Sequence, residues 1–178
     1  MENKIIAAVR TRDEFENAVK SKVNIIFHLS PDLHSVAECA KCAHSYGKKL
    51  FIHIDLATGI GKDKSGILYV KGAGVDGIIS TRVNIIKSAR ECGVFTVQRF
   101  FIVDSHSVDT TVEAVRASKP DMIEIMPGVI TKIISKLKQL VNVPIIAGGI
   151  IDCTEEVEDA LNCGAFAVST GKKNLWEN

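Results

Sequence analysis

The stretch "VPIIAGGIIDCTEEVEDALNCGAFAVSTGKKNLW", residues 143–176, holds one complete strand–helix–strand unit. "VPIIAG" (Val143–Gly148) is a β-branched apolar run that ends on two adjacent glycines, and "AFAVST" (Ala165–Thr170) is a second such run. Between them, Thr154 followed by Glu155 and Glu156 places acids at a helix's first turn, and Gly164 closes the helical run. Near-continuous apolar strands alternating with helices imply a parallel sheet covered on its outer face.

The same rhythm runs back to the start of the chain. The earlier runs are "IIAAV" (Ile5–Val9), "NIIFHL" (Asn24–Leu29), "LFIHID" (Leu50–Asp55), "DGIIST" (Asp76–Thr81), "VFTVQRFF" (Val94–Phe101) and "DMIEIM" (Asp121–Met126). Thr11 and Glu14 have the spacing of a capping box, and Gly47, Gly74 and Gly93 each end a helical run before the next strand. Eight strand–helix units fit a closed (β/α)8 TIM-type barrel better than an open doubly wound sheet of five or six strands. At 178 residues the chain is short for a fold that usually needs about 200 or more. The expectation is therefore one compact domain over residues 1–178, with short loops and no inserted module. A weak echo between "GAGVDGIISTR" (Gly72–Arg82) and "NCGAFAVSTGK" (Asn162–Lys172) fits either half-barrel duplication or the ordinary likeness of buried strands.

Composition narrows the function. No stretch approaches the roughly 18 apolar residues of a membrane span, and the N-terminal apolar run is too short for a secretory leader. Five scattered cysteines fit reduced thiols in a cytoplasm. A net charge of +1 gives no support to a uniformly basic nucleic-acid binder.

In barrels of this kind the ligand site lies at the C-terminal rim of the strands. The polar residues closing each run are Arg10, His28, His53 with Asp55, Arg82 after Ser80-Thr81, Gln98 with Arg99, Glu124, Gly148-Gly149 and Ser169-Thr170-Gly171. A ring of polar residues at one end of apolar strands has a physical cause, since each is costly there unless paired or wet. His53 and Asp55, two apart, are expected on one face of their strand. The loops after strands seven and eight commonly hold a phosphate in this fold. Here they supply Gly148-Gly149 and "STGKKNLW" (Ser169–Trp176), which opens a short final helix. Backbone N–H groups and the Thr170 hydroxyl are the expected donors. A plain tight turn is the competing account of the glycines. Asp55 and Glu124 can accept from ligand hydroxyls, and Arg10, Arg82 or Arg99 can pair with the phosphate or with those acids. A self-neutralised network without chemistry also fits that pattern.

Cys39 and Cys42 have metal-like spacing but lie inside a helical run without a second such pair, so no metal site is expected. No strand ends in lysine, which argues against a Schiff-base aldolase, and no nucleophile motif is present. No cofactor is implied.

The motifs "AAVR" (Ala7–Arg10), "IHIDL" (Ile52–Leu56), "GIISTR" (Gly77–Arg82), "VQRFF" (Val97–Phe101), "IEIMPG" (Ile123–Gly128), "IIAGGI" (Ile145–Ile150) and "STGKKNLW" occur in order along the chain. Together they resemble the glycerol uptake operon antiterminator regulatory proteins. The resemblance implies a (β/α)8 barrel that senses glycerol 3-phosphate and acts on the leader mRNA of glycerol-utilisation genes. Carried over by motif, it places the phosphate at Gly148, Gly149, Thr170 and Gly171, and the glycerol near Arg10, Asp55, Arg82, Arg99 and Glu124. Ser169 and His53 border those positions. The family's final motif often reads serine and asparagine where this chain has Thr170-Gly171-Lys172. Rim loops ordered by ligand would present Lys62, Lys64, Lys172 and Lys173 to RNA. The alternative is a small phosphosugar isomerase or lyase, with Asp55 or Glu124 as general base and His53 beside it. Whether the chain forms a homo-oligomer is left open by its sequence.

Overall fold

The computed structural model describes residues 4–177. Each β-branched run forms a parallel strand: β1 (Ile5–Val9), β2 (Ile25–His28), β3 (Lys49–His53), β4 (Gly77–Ser80), β5 (Phe95–Phe101), β6 (Met122–Met126), β7 (Ile145–Gly148) and β8 (Ala167–Thr170). The strands pair in chain order, and β8 closes on β1 with Ile5 opposite Val168, Ile6 opposite Ser169 and Ala7 opposite Thr170. The result is a closed eight-stranded barrel. Its outer helices are α1 (Arg12–Lys20), α2 (Val36–Ser45), α3 (Lys64–Gly72), α4 (Val83–Glu91), α5 (His106–Ser118), α6 (Thr131–Leu140) and α7 (Thr154–Asn162). Among the described residues no helix is long and apolar enough to cross a membrane.

Local signals explain the boundaries. The Thr11 side chain accepts from the Glu14 N–H, and the Glu14 carboxylate accepts from the Thr11 N–H, so both halves of the capping box form at α1. The glycines that close α2, α3, α4 and α7 all have left-handed φ. Strand alternation then sorts the core. Ile6, Phe27, Leu29, Phe51, Ile79, Val97, Ile146 and Ala167 fill the barrel interior, while a larger cluster packs between the strands and the helices. Gly77 belongs to this packing. A Cβ there would meet the Phe51 ring, with Cδ1 at 2.6 Å, and the Phe95 carbonyl at 2.9 Å.

One element differs from the sequence-based expectation. β3 stops at His53, and Ile54–Leu56 turns as a 3-10 helix, so Asp55 leaves the strand and does not share a face with His53. The short final helix expected after β8 forms as a 3-10 turn, Lys173–Glu177. That turn is fixed by Trp176, buried to 1% exposure, whose indole N–H donates to the Thr170 carbonyl at 2.9 Å. The Trp176 carbonyl in turn accepts from the Lys22 N–H at 3.2 Å.

Candidate functional site

β7 runs out through Gly149 and Ile150, which both take left-handed backbone, with φ of 76° and 60°. For glycine this is unstrained, whereas for a β-branched residue it is an outlier held by its surroundings. The turn leaves the Gly149, Ile150 and Ile151 N–H groups without an acceptor among the described residues, as is the Gly171 N–H on the loop after β8. Gly128, on the loop after β6, braces the turn by donating to the carbonyls of Gly148 (2.6 Å) and Gly149 (3.1 Å). Between these loops lies a cleft of about 330 Å³. It is lined by Gly149, Ile150, Ile151 and Asp152 on one side and Ser169, Thr170, Gly171 and Lys172 on the other. Arg10, Ala8, Leu29 and Met126 complete it. The exposed Arg10 guanidinium makes no ion pair among the described residues. Arg10 also borders a second hollow, between α1 and α2, with His28, Cys39 and Cys42 on its walls.

Two expected donors have other duties. The Thr170 hydroxyl donates to the Ile151 carbonyl at 2.8 Å and accepts from the Lys172 N–H at 3.1 Å, tying the seventh and eighth loops together. Gly148 lies under the cleft rather than on its wall. A Cβ there would strike the Glu124 carboxylate and come within 2.6 Å of the Ser169 hydroxyl. Its bareness makes room for an acid, not directly for an anion.

That acid is the centre of the barrel interior. Glu124 on β6, fully buried, accepts from Arg99 Nε at 2.6 Å and from the Ser169 hydroxyl at 2.5 Å. Arg99 and Glu124 are cross-strand neighbours in register, so the pair is built by β5 and β6 directly. Two buried nitrogens remain unpartnered beside it, Arg99 Nη2 and His53 Nδ1. Burial first, and then the Arg99 charge, push the His53 pKa down to about 4, so its imidazole is neutral at physiological pH. Gln98, expected at the rim beside Arg99, instead points outward, where it accepts from Ser118 of α5 at 2.5 Å.

Asp55 belongs to a separate network. Its carboxylate accepts from the Ser80 hydroxyl (2.9 and 3.0 Å), the Thr81 N–H (2.8 Å) and the Thr81 hydroxyl (3.2 Å), with Arg82 Nε at 3.6 Å. These contacts tie the turn after β3 to the end of β4, and none of their residues lines the cleft.

The lysines expected to face RNA do not assemble into one free basic surface. Lys62 folds back to donate to the carbonyls of Ala57 and, at 2.7 Å, Ile60. Lys172 pairs with Asp152 at 3.3 Å and Lys173 with Asp13 at 2.7 Å, while Lys64 is exposed in the first turn of α3. Among the described residues no cluster of three or more His, Cys, Asp or Glu is placed to hold a metal ion. Ile150 and Asp152 were absent from the sequence-derived site. Nothing in the sequence announces left-handed backbone at an isoleucine, although Asp152 adjoins a motif already singled out.

Fold and site together define a (β/α)8 barrel with a backbone-lined cleft at its C-terminal mouth and a buried ion pair beneath. Residues 5–176 match the family model described as glycerol-3-phosphate responsive antiterminator. The glycerol uptake operon antiterminator regulatory protein from Listeria monocytogenes str. 4b F2365 is similar at 32% identity. The match has a TM-score of 0.94 and covers 100% of this chain and 97% of that one. A glycerol uptake operon antiterminator-related protein from Thermotoga maritima MSB8 aligns over 100% of both chains at 30% identity, with a TM-score of 0.88. The Escherichia coli (strain K12) protein YgcP is 35% identical over 176 residues, 98% of this chain and 92% of that protein. The chain belongs to the glycerol-3-phosphate-responsive antiterminator family.

Proposed function

We propose that the protein binds glycerol 3-phosphate in the cleft between the loops after β7 and β8 and, in that state, acts on leader mRNA to let transcription pass a terminator. The observation that carries the ligand half is the convergence on one cleft of four backbone N–H groups without protein acceptors and an arginine without a carboxylate partner. That donor set matches a phosphate dianion. Glycerol 3-phosphate has about ten heavy atoms, so micromolar affinity, about −8 kcal/mol, asks roughly −0.8 kcal/mol of each. A rigid backbone cradle supplies that without ordering long side chains. Family membership supports the regulatory half. The competing enzyme reading has less support, because Asp55 is saturated with donors and Glu124 is buried against Arg99, leaving neither carboxylate poised as a general base.

Thermal melting with glycerol 3-phosphate, dihydroxyacetone phosphate and inorganic phosphate tests the ligand. At about a hundredfold excess over Kd, the true ligand adds about 2.7 kcal/mol of stability. Arg10→Ala should weaken that shift and leave the unliganded melt unchanged. Equal shifts with all three compounds, or turnover of any of them, would overturn the proposal.

A further inference from the structure

The chain is nearly neutral, but its charges are sorted by height. All seven helices run from the mouth of the barrel to its opposite end, the base. The first turns of four of them, α1, α2, α5 and α7, carry acids: Asp13, Glu14, Glu38, Asp109, Glu155 and Glu156. The last turns of five, α1 and α3 to α6, carry Lys20, Lys71, Arg90, Arg116 and Lys138. Helix dipoles favour this order, and its consequence is a base richer in cations than the overall charge suggests. Two base carboxylates are already occupied: Asp76 by His44 and the Leu50 N–H, Asp121 by the Thr96 N–H and hydroxyl. Both lie in the β4–β6 sector. Glu91, Glu177 and the exposed Asp159 in the last turn of α7 are also on this side and are outnumbered by the cations.

Within the base, where β8, β1, β2 and β3 begin and β6 contributes Met122, lies a hollow of about 280 Å³. Its floor is apolar, with Ile25 and Met122, and its lip carries Lys4, Asn24, Lys49 and Phe166. Phe166 is 52% exposed, a large apolar surface to leave in water, and Lys138 lies over Gly164 two residues away. Lys4 and Lys49 have no carboxylate partner among the described residues.

We propose that this base hollow is a docking site for single-stranded RNA, with a base stacked on Phe166 and backbone phosphates at Lys4, Lys49 and Lys138. The proposal rests on the reading that the protein acts on RNA, and it moves the RNA surface to the end of the barrel opposite the ligand cleft. Charge complementarity selects a polyanion. The exposed aromatic face beside an apolar hollow selects one that carries flat bases, since stacking contributes at each base independently of sequence.

The test is fluorescence anisotropy with a labelled single-stranded RNA pool at low salt and saturating glycerol 3-phosphate. Lys4→Ala with Lys49→Ala should lower the slope of log affinity against log salt by about 1.4, at about 0.7 per phosphate contact. Phe166→Ala should weaken binding about tenfold without changing that slope. All three side chains are exposed, so unchanged melting temperatures serve as the folding control. RNA binding that survives both variants would overturn the proposal while leaving the proposed function standing. RNA binding that is lost on removing the lysines, indifferent to Phe166→Ala and competed equally by polyglutamate would make the face a dock for acidic protein and overturn it too. A wild-type protein that responds to glycerol 3-phosphate but binds no RNA would sink the RNA reading itself.

Discussion

Two carboxylates expected at the mouth of the barrel have opposite fates. Asp55 is met by hydroxyls, a backbone N–H and, at 3.6 Å, Arg82, all from one neighbouring strand end. Glu124 is met by Arg99 and Ser169 from two different strands, and the polar groups around it are left incomplete, with Arg99 Nη2 and His53 Nδ1 unpartnered. A finished network serves the fold, because both oxygens of its carboxylate already accept from neighbouring hydroxyl and backbone donors. An unfinished one, sealed from water and next to a cleft, is where a ligand's polar atoms gain most by arriving. The resemblance gave both acids to the ligand; the structure divides them.

The largest effect should come from the unfinished side. Glu124→Ala strands the Arg99 cation in the barrel interior and should cost about 3–5 kcal/mol in urea denaturation. A cost below 1 kcal/mol would mean that the pair is solvated in solution and that the contrast with Asp55 is false. Next comes His53. Its folded pKa of about 4 lies below the ordinary value near 6.5, so between those values the unfolded chain holds the extra proton. Stability is therefore complete above about pH 6.5 and declines as the pH falls toward 4, by about 3 kcal/mol in all. Replacing His53 with Leu should flatten this acid limb between pH 6.5 and 4, which chemical denaturation across that range will reveal.

On the finished side, Asp55→Asn should cost about 2 kcal/mol of stability through its weakened hydrogen bonds, while calorimetry should find ligand affinity unchanged. The reverse outcome, normal stability with lost affinity, would return Asp55 to the ligand site. The smallest effect is expected at Gly149, where alanine must hold φ of 76° and should cost about 1 kcal/mol. If Gly149→Ala also halves the glycerol 3-phosphate thermal shift, the cradle is sharpened to that turn.

The barrel was legible from residues 143–176 outward because its strands are buried on both faces, and such strands keep their β-branched runs uninterrupted. All eight were placed within two residues. The cleft was legible at the same level, since the loops after the last two strands follow from chain order. What the sequence did not disclose depends on contacts between distant residues. Glu124 meets Ser169 across forty-five positions, and only that meeting explains why position 148 must be glycine. Lys173 finds Asp13 from 160 positions away, which removes it from the free basic residues. Asp55 was misplaced for a local reason: a strand pattern continues through "HID", and nothing within it signals the 3-10 turn.

Trp176 does more than fill space beside β1 and α1. With one end of its turn hydrogen-bonded to the Thr170 carbonyl at the mouth and the other to the Lys22 N–H in the loop before β2, it works as a tie rod along the outside of the barrel. A closed barrel resists bending, so displacement of one rim has few routes to the opposite end. A rod anchored at both heights provides one that bypasses the sheet. Through this one residue the eighth loop is joined to the edge of the base from which Asn24 and Ile25 enter the barrel.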